Sequence, residues 1–477
     1  MKKIISQSDN YAGNFGMVLR SSAIFYYRVD VDSEFKTTIS FMNYWKFKRD
    51  MSVCILASVR SLSGDLVTRK ELKFDQGEVI NFELEDDVKS FEGSVEIEIF
   101  SIQNMVIPYA AIMAIYRSKS SISMVHSYTR TYSRHEIEEE RTITSGRESC
   151  WTIRDNEVNR SFCVFHNGIM ATKKQSILIT ITNIDGDIFV KKAGLKSLKP
   201  FETVVLYPSD YFKNIELLTT GKIANVSINF ELSGAFTRLL VGNSSKDMTD
   251  FQVTHSNFNY KEYETDKLKS DSSALMKILD DNFDSPKVIV YPDSSDGEYL
   301  LKNDIDEFSF NSGDLLEFSP YSETVEISRT DGIIPKRIVT GFSANNALLL
   351  PFECSLGAMH CERPAKKMWW GSIFQSSNVK CKIFAAHYPE FYGAVDENSR
   401  INIRFYSSVS KNVVSKDINP KVFMKYQGVD VEEIFPDVRG FMRDKPGYFT
   451  FFSDYGGYVV YSMFTNNKGV STIEHGF

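Results

Sequence analysis

At 477 residues the chain exceeds what one hydrophobic core holds, and about three domains is the natural expectation. Apolar content of 42% and charged content of 25% are those of a globular protein, while a net charge of -7 argues against a general polyanion surface and so against nucleic acid as a partner. No apolar run reaches the roughly 18 residues a membrane-spanning helix needs, and no membrane partner is expected.

The opening stretch Met1 to Asp9 has two lysines but no apolar core behind them, so it does not read as a signal peptide. Six cysteines without such a signal are expected as reduced thiols, in a cytoplasmic or intracellularly assembled protein. Thirty-six Phe and 23 Tyr favour strands, because aromatic side chains fill a half-buried pleated surface. Period-two alternation bears this out at Ser22 to Tyr27, Thr37 to Phe41, Ser94 to Phe100 and Ser176 to Ile181. The predicted fold class is all-β: tandem antiparallel β-sandwich modules with few helices.

Part of the chain is written at least twice. Ile55-Leu56 opens an alternating run ending at Gly64-Asp65, and Ile177-Leu178 opens another ending at Gly186-Asp187. Upstream, Phe41-Met42-Asn43 answers Phe165-His166-Asn167; downstream, Val125-His126-Ser127 answers Thr254-His255-Ser256. Such self-similarity predicts an array of like modules. Module 1 is placed over 15–133 and module 2 over 148–262. The polar segment 263–286 reads as a linker carrying a short helix at Ser273 to Asp281, and 287–477 as a third, decorated copy. Met359-His360 with Lys366-Lys367 resembles Phe165-His166 with Lys173-Lys174, and Ile473-Glu474-His475 closes the third copy.

Two residue sets are candidates for function. His126, His255 and His475 end matching strands; packed about a pseudo-threefold axis, their imidazoles would converge as ligands for a divalent metal, with Glu474 the adjacent carboxylate. Alternatively, each histidine caps its strand end through one hydrogen bond, copied with the scaffold. Equivalent modules would make His126→Ala and His255→Ala alike in effect. The second set is His166, Asn167, Lys173 and Lys174 with His360, Lys366 and Lys367, a combination suited to a hydroxyl-rich or anionic ligand. A turn copied by duplication, with solvated lysines, explains the same pattern. Cys354, His360, Cys361 and Cys381 lack the tight paired spacing of a structural zinc site.

No phosphate loop, dinucleotide fingerprint, His-Glu-x-x-His helix or nucleophile elbow occurs, and no catalytic residue is identified. These features predict a non-enzymatic binding or assembly protein whose partner is a carbohydrate or another protein, and a homo-oligomer would fit. The alternatives are a metal-dependent enzyme acting on a glycan or polar metabolite, and a virion or sheath component.

Overall fold

Residues 175–183 show why this chain makes sheets. Ile177, Ile179 and Ile181 point inward and are buried, while Leu178 on the opposite face is exposed. Burying each such side chain contributes about 1.5–3 kcal/mol, and a one-residue slip in register would turn all three to solvent. A charge at Ile179 would break the strand. The computed structural model describes residues 19–101, 112–126, 150–229, 239–256, 272–277, 286–291, 297–329, 339–342, 352–355, 358–359 and 366–477, less residues 320–322, 425–427 and a few single positions.

The described strands form eight antiparallel sheets, which pair into four sandwiches over 19–125, 150–255, 272–359 and 368–475. Numbered within each module, one sheet runs 1-6-3-4 and the other 5-2-7-8, four times over. The third module adds a short ninth strand, Ala358–Met359, beside its first. The repeated sequence segments fall on register-equivalent elements. Gly64 and Gly186 sit at the same turn between strands 3 and 4, with φ of +87° and +88°. Both turns close alike: the Gly64 amide donates to the Ser61 carbonyl at 2.9 Å, and the Gly186 amide to the Asn183 carbonyl at 3.2 Å.

The structure divides 287–477 differently from the sequence expectation of one decorated copy: that span holds the whole fourth sandwich and most of the third. The third begins upstream, at Ser272–Lys277, where the sequence pattern predicts a helix. That segment is a strand, paired on both sides with Thr324–Arg329 and Ala358–Met359. Its apolar run is too short for periodicity to separate helix from strand, and tertiary pairing decides. The match between Met359-His360 and Phe165-His166 is also corrected. Met359 lies on the added ninth strand, whereas Phe165-His166 ends a second strand; ladder register makes Ala385-Ala386 its counterpart in the fourth module, with His387 at the position of Asn167. His360, Cys361 and the charged connector at 133–141 lie outside the described residues.

Modules pack in cyclic order. Phe251 of the second module enters the first, lying 5.4 Å from Phe35 and 5.1 Å from Tyr116. Thr152 of the second donates to Tyr291 of the third at 3.0 Å, inside a small cluster with Ile223 and Leu315. Leu275 and Tyr299 of the third share a core with Tyr388 and Tyr461 of the fourth. Tyr448 of the fourth donates to the Ser40 carbonyl of the first at 2.8 Å and closes the ring. At its axis lie the eighth strands, Ile122–Val125, Phe251–His255, Phe352–Ser355 and Ser471–His475, each against two others. No helix among the described residues is long and apolar enough to cross a membrane.

Candidate metal centre

An eighth strand is the outer edge of its sheet, so one row of its backbone groups has no ladder partner. At the hub, side chains of the neighbouring modules meet those groups. The Phe251 and Val253 amides donate to the Ser121 and Ser123 hydroxyls at 3.2 and 2.9 Å, and the Met124 amide donates to Thr472 Oγ1 at 3.1 Å. Gln252 Nε2 donates to the Ile122 carbonyl. These bonds fix the first module's eighth strand between those of the second and fourth, and align the three strand ends.

Each of those ends carries a histidine. The rings of His126 and His255 lie 4.6 Å apart and those of His126 and His475 4.7 Å, while His255 and His475 are separated by 6.3 Å. With Glu474 they offer four ligand atoms that all lie within 4.8 Å of one another. Convergence of the three imidazoles thus holds, but in a ring of four modules rather than about a threefold axis. In the third module, ladder position puts Ser355 opposite Val339, as His255 stands opposite Leu240 and His475 opposite Tyr461. Among the described residues, that module brings no imidazole to the hub.

Hydrogen bonds orient the rings. His255 Nδ1 meets the carbonyl of Ser256 at 2.9 Å, and His475 Nδ1 meets that of Gly476 at the same distance. A carbonyl only accepts, so Nδ1 carries the proton in both and Nε2 is the basic nitrogen. A backbone carbonyl on the second ring nitrogen is a common way of presenting a metal-binding histidine. His126 differs: its Nδ1 faces Glu474 Oε1 at 3.1 Å, and the same oxygen lies 3.6 Å from His475 Nε2. Glu474 Oε1 also accepts the His475 amide at 3.0 Å, which folds the carboxylate back onto the hub. The residue before each histidine is Val125, Thr254 or Glu474, so the fourth module alone supplies the charge.

His126, His255 and Glu474 are buried; the side chain of His475 retains 18% exposure and is the hub's contact with solvent. Phe477 covers the remaining side, 4.6 Å from His126 and 5.1 Å from His475. Clefts open elsewhere, one of about 930 Å³ between the first and fourth modules, which Ser121 and Ile122 line, and one of about 480 Å³ around Phe47 and Tyr406; none of the three histidines, nor Glu474, lines either.

Among the described residues the second predicted set does not assemble; His360 lies outside them. His166 is fully buried, its Nδ1 sits 2.9 Å from Thr203 Oγ1, and burial pushes its pKa down to about 3. Asn167 is buried too, and its amide donates to the carbonyls of Met170 and Lys199, both at 2.8 Å. Lys173, Lys174 and Lys367 are exposed. Lys366 lies over the Trp369 ring at 3.6 Å, near Tyr44, whose ring is 5.0 Å from Trp370. Residues expected to share one ligand therefore serve separate local ends, chiefly the internal closure of turns. Sequence reasoning missed His387, whose signal is a histidine ending a second strand, as in His166. Cys163 and Cys381 are buried thiols; burial pushes the Cys381 thiol up to about 12. No known family pattern matches this chain, and no curated protein resembles it in sequence.

Proposed function

We propose that the chain is a non-enzymatic assembly scaffold that associates with a protein partner, in the first instance with its own copies. The observation that carries this reading is the fourfold use of one sandwich in a closed ring, whose polar centre is walled in and lies apart from both clefts. Catalysis needs an open position where a substrate meets the reactive groups, and a four-ligand set shielded by Phe477 leaves little room for one.

A protein partner is favoured over a carbohydrate for two reasons. The polar residues suited to a sugar, His166 and Asn167, are turned inward and bonded within their own module. Meanwhile one face of the hairpin 175–195 presents Leu178, Val190 and Ile188 at 41%, 57% and 62% exposure, with Leu178 diagonal to Val190 across the ladder and Ile188 two residues from Val190 on the same strand. Contiguous exposed apolar residues rimmed by polar ones mark protein contacts more often than sugar sites. The metal-enzyme alternative keeps only the composition of the hub in its favour.

Light scattering across a wide range of chain concentration tests the reading. Mass should rise with concentration, and Leu178→Ser with Val190→Ser should suppress the rise without moving the melting temperature. A strictly monomeric chain at every concentration, with the double variant indistinguishable from it, would sink the assembly reading.

A further inference from the structure

We propose that the hub is a structural zinc site: one Zn²⁺ bound by His126, His255, His475 and Glu474, locking the first, second and fourth modules into the closed ring. This goes beyond the assembly reading and does not depend on what the scaffold binds.

Three arguments select the ion and its role. First, three imidazoles and one carboxylate form a borderline nitrogen-rich donor set of four, and Zn²⁺ takes four such ligands in a tetrahedron without geometric preference of its own. Tetrahedral donors at zinc distances stand about 3.4 Å apart, so ligand atoms already within 4.8 Å need only small side-chain rotations to close on the ion. Second, the orientation is prepared. His255 and His475 present Nε2, since their Nδ1 protons go to the carbonyls of Ser256 and Gly476, and His126 presents Nδ1 towards Glu474. One carboxylate offsets part of the ion's charge inside a buried site, where an uncompensated dication would be costly. Third, the site is closed. Four protein ligands leave no vacant position, which is the structural and not the catalytic pattern.

The location gives the ion its work. Its ligands come from residues 126, 255 and 474–475, so a single centre ties segments far apart in the chain. Binding energy of such a site is available to folding only once those segments meet, so it acts on ring closure and not on any one sandwich. The rival state is a metal-independent hub in which His126 simply hydrogen-bonds Glu474.

Metal content and melting of the purified full chain separate the two. About one zinc per chain is expected, a chelator should lower the melting temperature, and added Zn²⁺ should restore it. Substituted Co²⁺ should show the intense visible bands of a tetrahedral site. His255→Gln should reduce the metal content to none and melt alike with and without chelator. If that variant does not fold, His475→Gln, at the most exposed ligand, gives the same test. Absence of stoichiometric metal after Zn²⁺ is added back to chelated protein, or a melting temperature that the chelator leaves unmoved, would overturn the proposal. Light scattering tests the scaffold role separately: the lock is read from metal content and melting and the scaffold from the concentration dependence of mass, so either can fail while the other stands.

Discussion

Histidines end strands at two kinds of place in this molecule, and the two have opposite fates. His166 and His387 end second strands, which lie inside their sheets between strands 5 and 7. His126, His255 and His475 stand at the ends of eighth strands, which form the edges turned to the axis. The first pair stays within single modules: His166 on Thr203, His387 among Tyr455 and Tyr458 at ring distances of 5.9 and 5.2 Å. The second set converges. Repetition copies a residue's local register, whereas the module's place in the ring decides whether the copies meet.

The comparison is tested hardest at the hub. Ring position makes His126 central, within 4.7 Å of both other imidazoles and with its Nδ1 3.1 Å from Glu474 Oε1, so the expected equality of His126→Ala and His255→Ala should fail. In chelated protein, His126→Ala should cost about 3 kcal/mol, since it leaves a cavity and removes the partner of a buried carboxylate. His255→Ala should cost about 1–2 kcal/mol, the loss of one hydrogen bond and some packing. Urea unfolding measures both, and equal values would restore the equivalence.

The paired glycine turns repeat the lesson without charge. A Cβ on Gly64 would stand 2.3 Å from the Pro200 carbonyl oxygen, because that turn docks on the second module, where the Thr203 amide donates to the Leu62 carbonyl. A Cβ on Gly186 meets nothing within 4 Å. Positive φ costs both alanine variants about 1 kcal/mol. The backbone clash should add about 1–3 kcal/mol at Gly64 alone. Thermal melts of Gly64→Ala and Gly186→Ala that coincide would show that the turn does not bear on its neighbour.

The same contrast explains what is legible in the sequence. Alternation around Ile177 and the turn glycines depend on local register, which a strand writes into its own residues, and both are readable. The convergence of His126, His255 and His475 is readable for the same reason, as three strands ending alike. The fourth sandwich is not. Its strands 401–406 and 471–475 carry patterns of their own, but the third module before them has no histidine at the matching position, Ser355, and an apolar run at 272–277 that fits either period. Interface chemistry such as Arg60 over Phe201 at 4.0 Å joins residues with no shared pattern, so nothing in the sequence marks it.

A smaller effect separates the second-strand histidines from the hub by pH. Burial holds His166 neutral, with a pKa of about 3 against 6.5 for an unperturbed side chain. Below 6.5 the unfolded chain therefore binds a proton that the folded chain refuses, and stability falls as pH drops towards 3. The contribution is complete above pH 6.5. At pH 5.5 about 1 kcal/mol should be gone. His166→Gln should flatten that part of the pH profile of urea unfolding; an unchanged slope would mean that the imidazole is already protonated when folded.

The least effect is expected where sequence repetition points to a ligand and the ring supplies no neighbour. Lys173 and Lys174 are exposed, whereas His166, the residue the repeat pairs them with, is buried and bonded to Thr203. A solvated lysine pair contributes little to a folded state, so Lys173→Ala with Lys174→Ala should change stability by less than about 0.5 kcal/mol. The same double variant should leave concentration-dependent assembly unaltered, since the apolar face at Leu178 and Val190 is intact. A loss of assembly in that variant would move the docking surface from the apolar ladder to the charged loop, and would make the second-strand repeat as functional as the eighth.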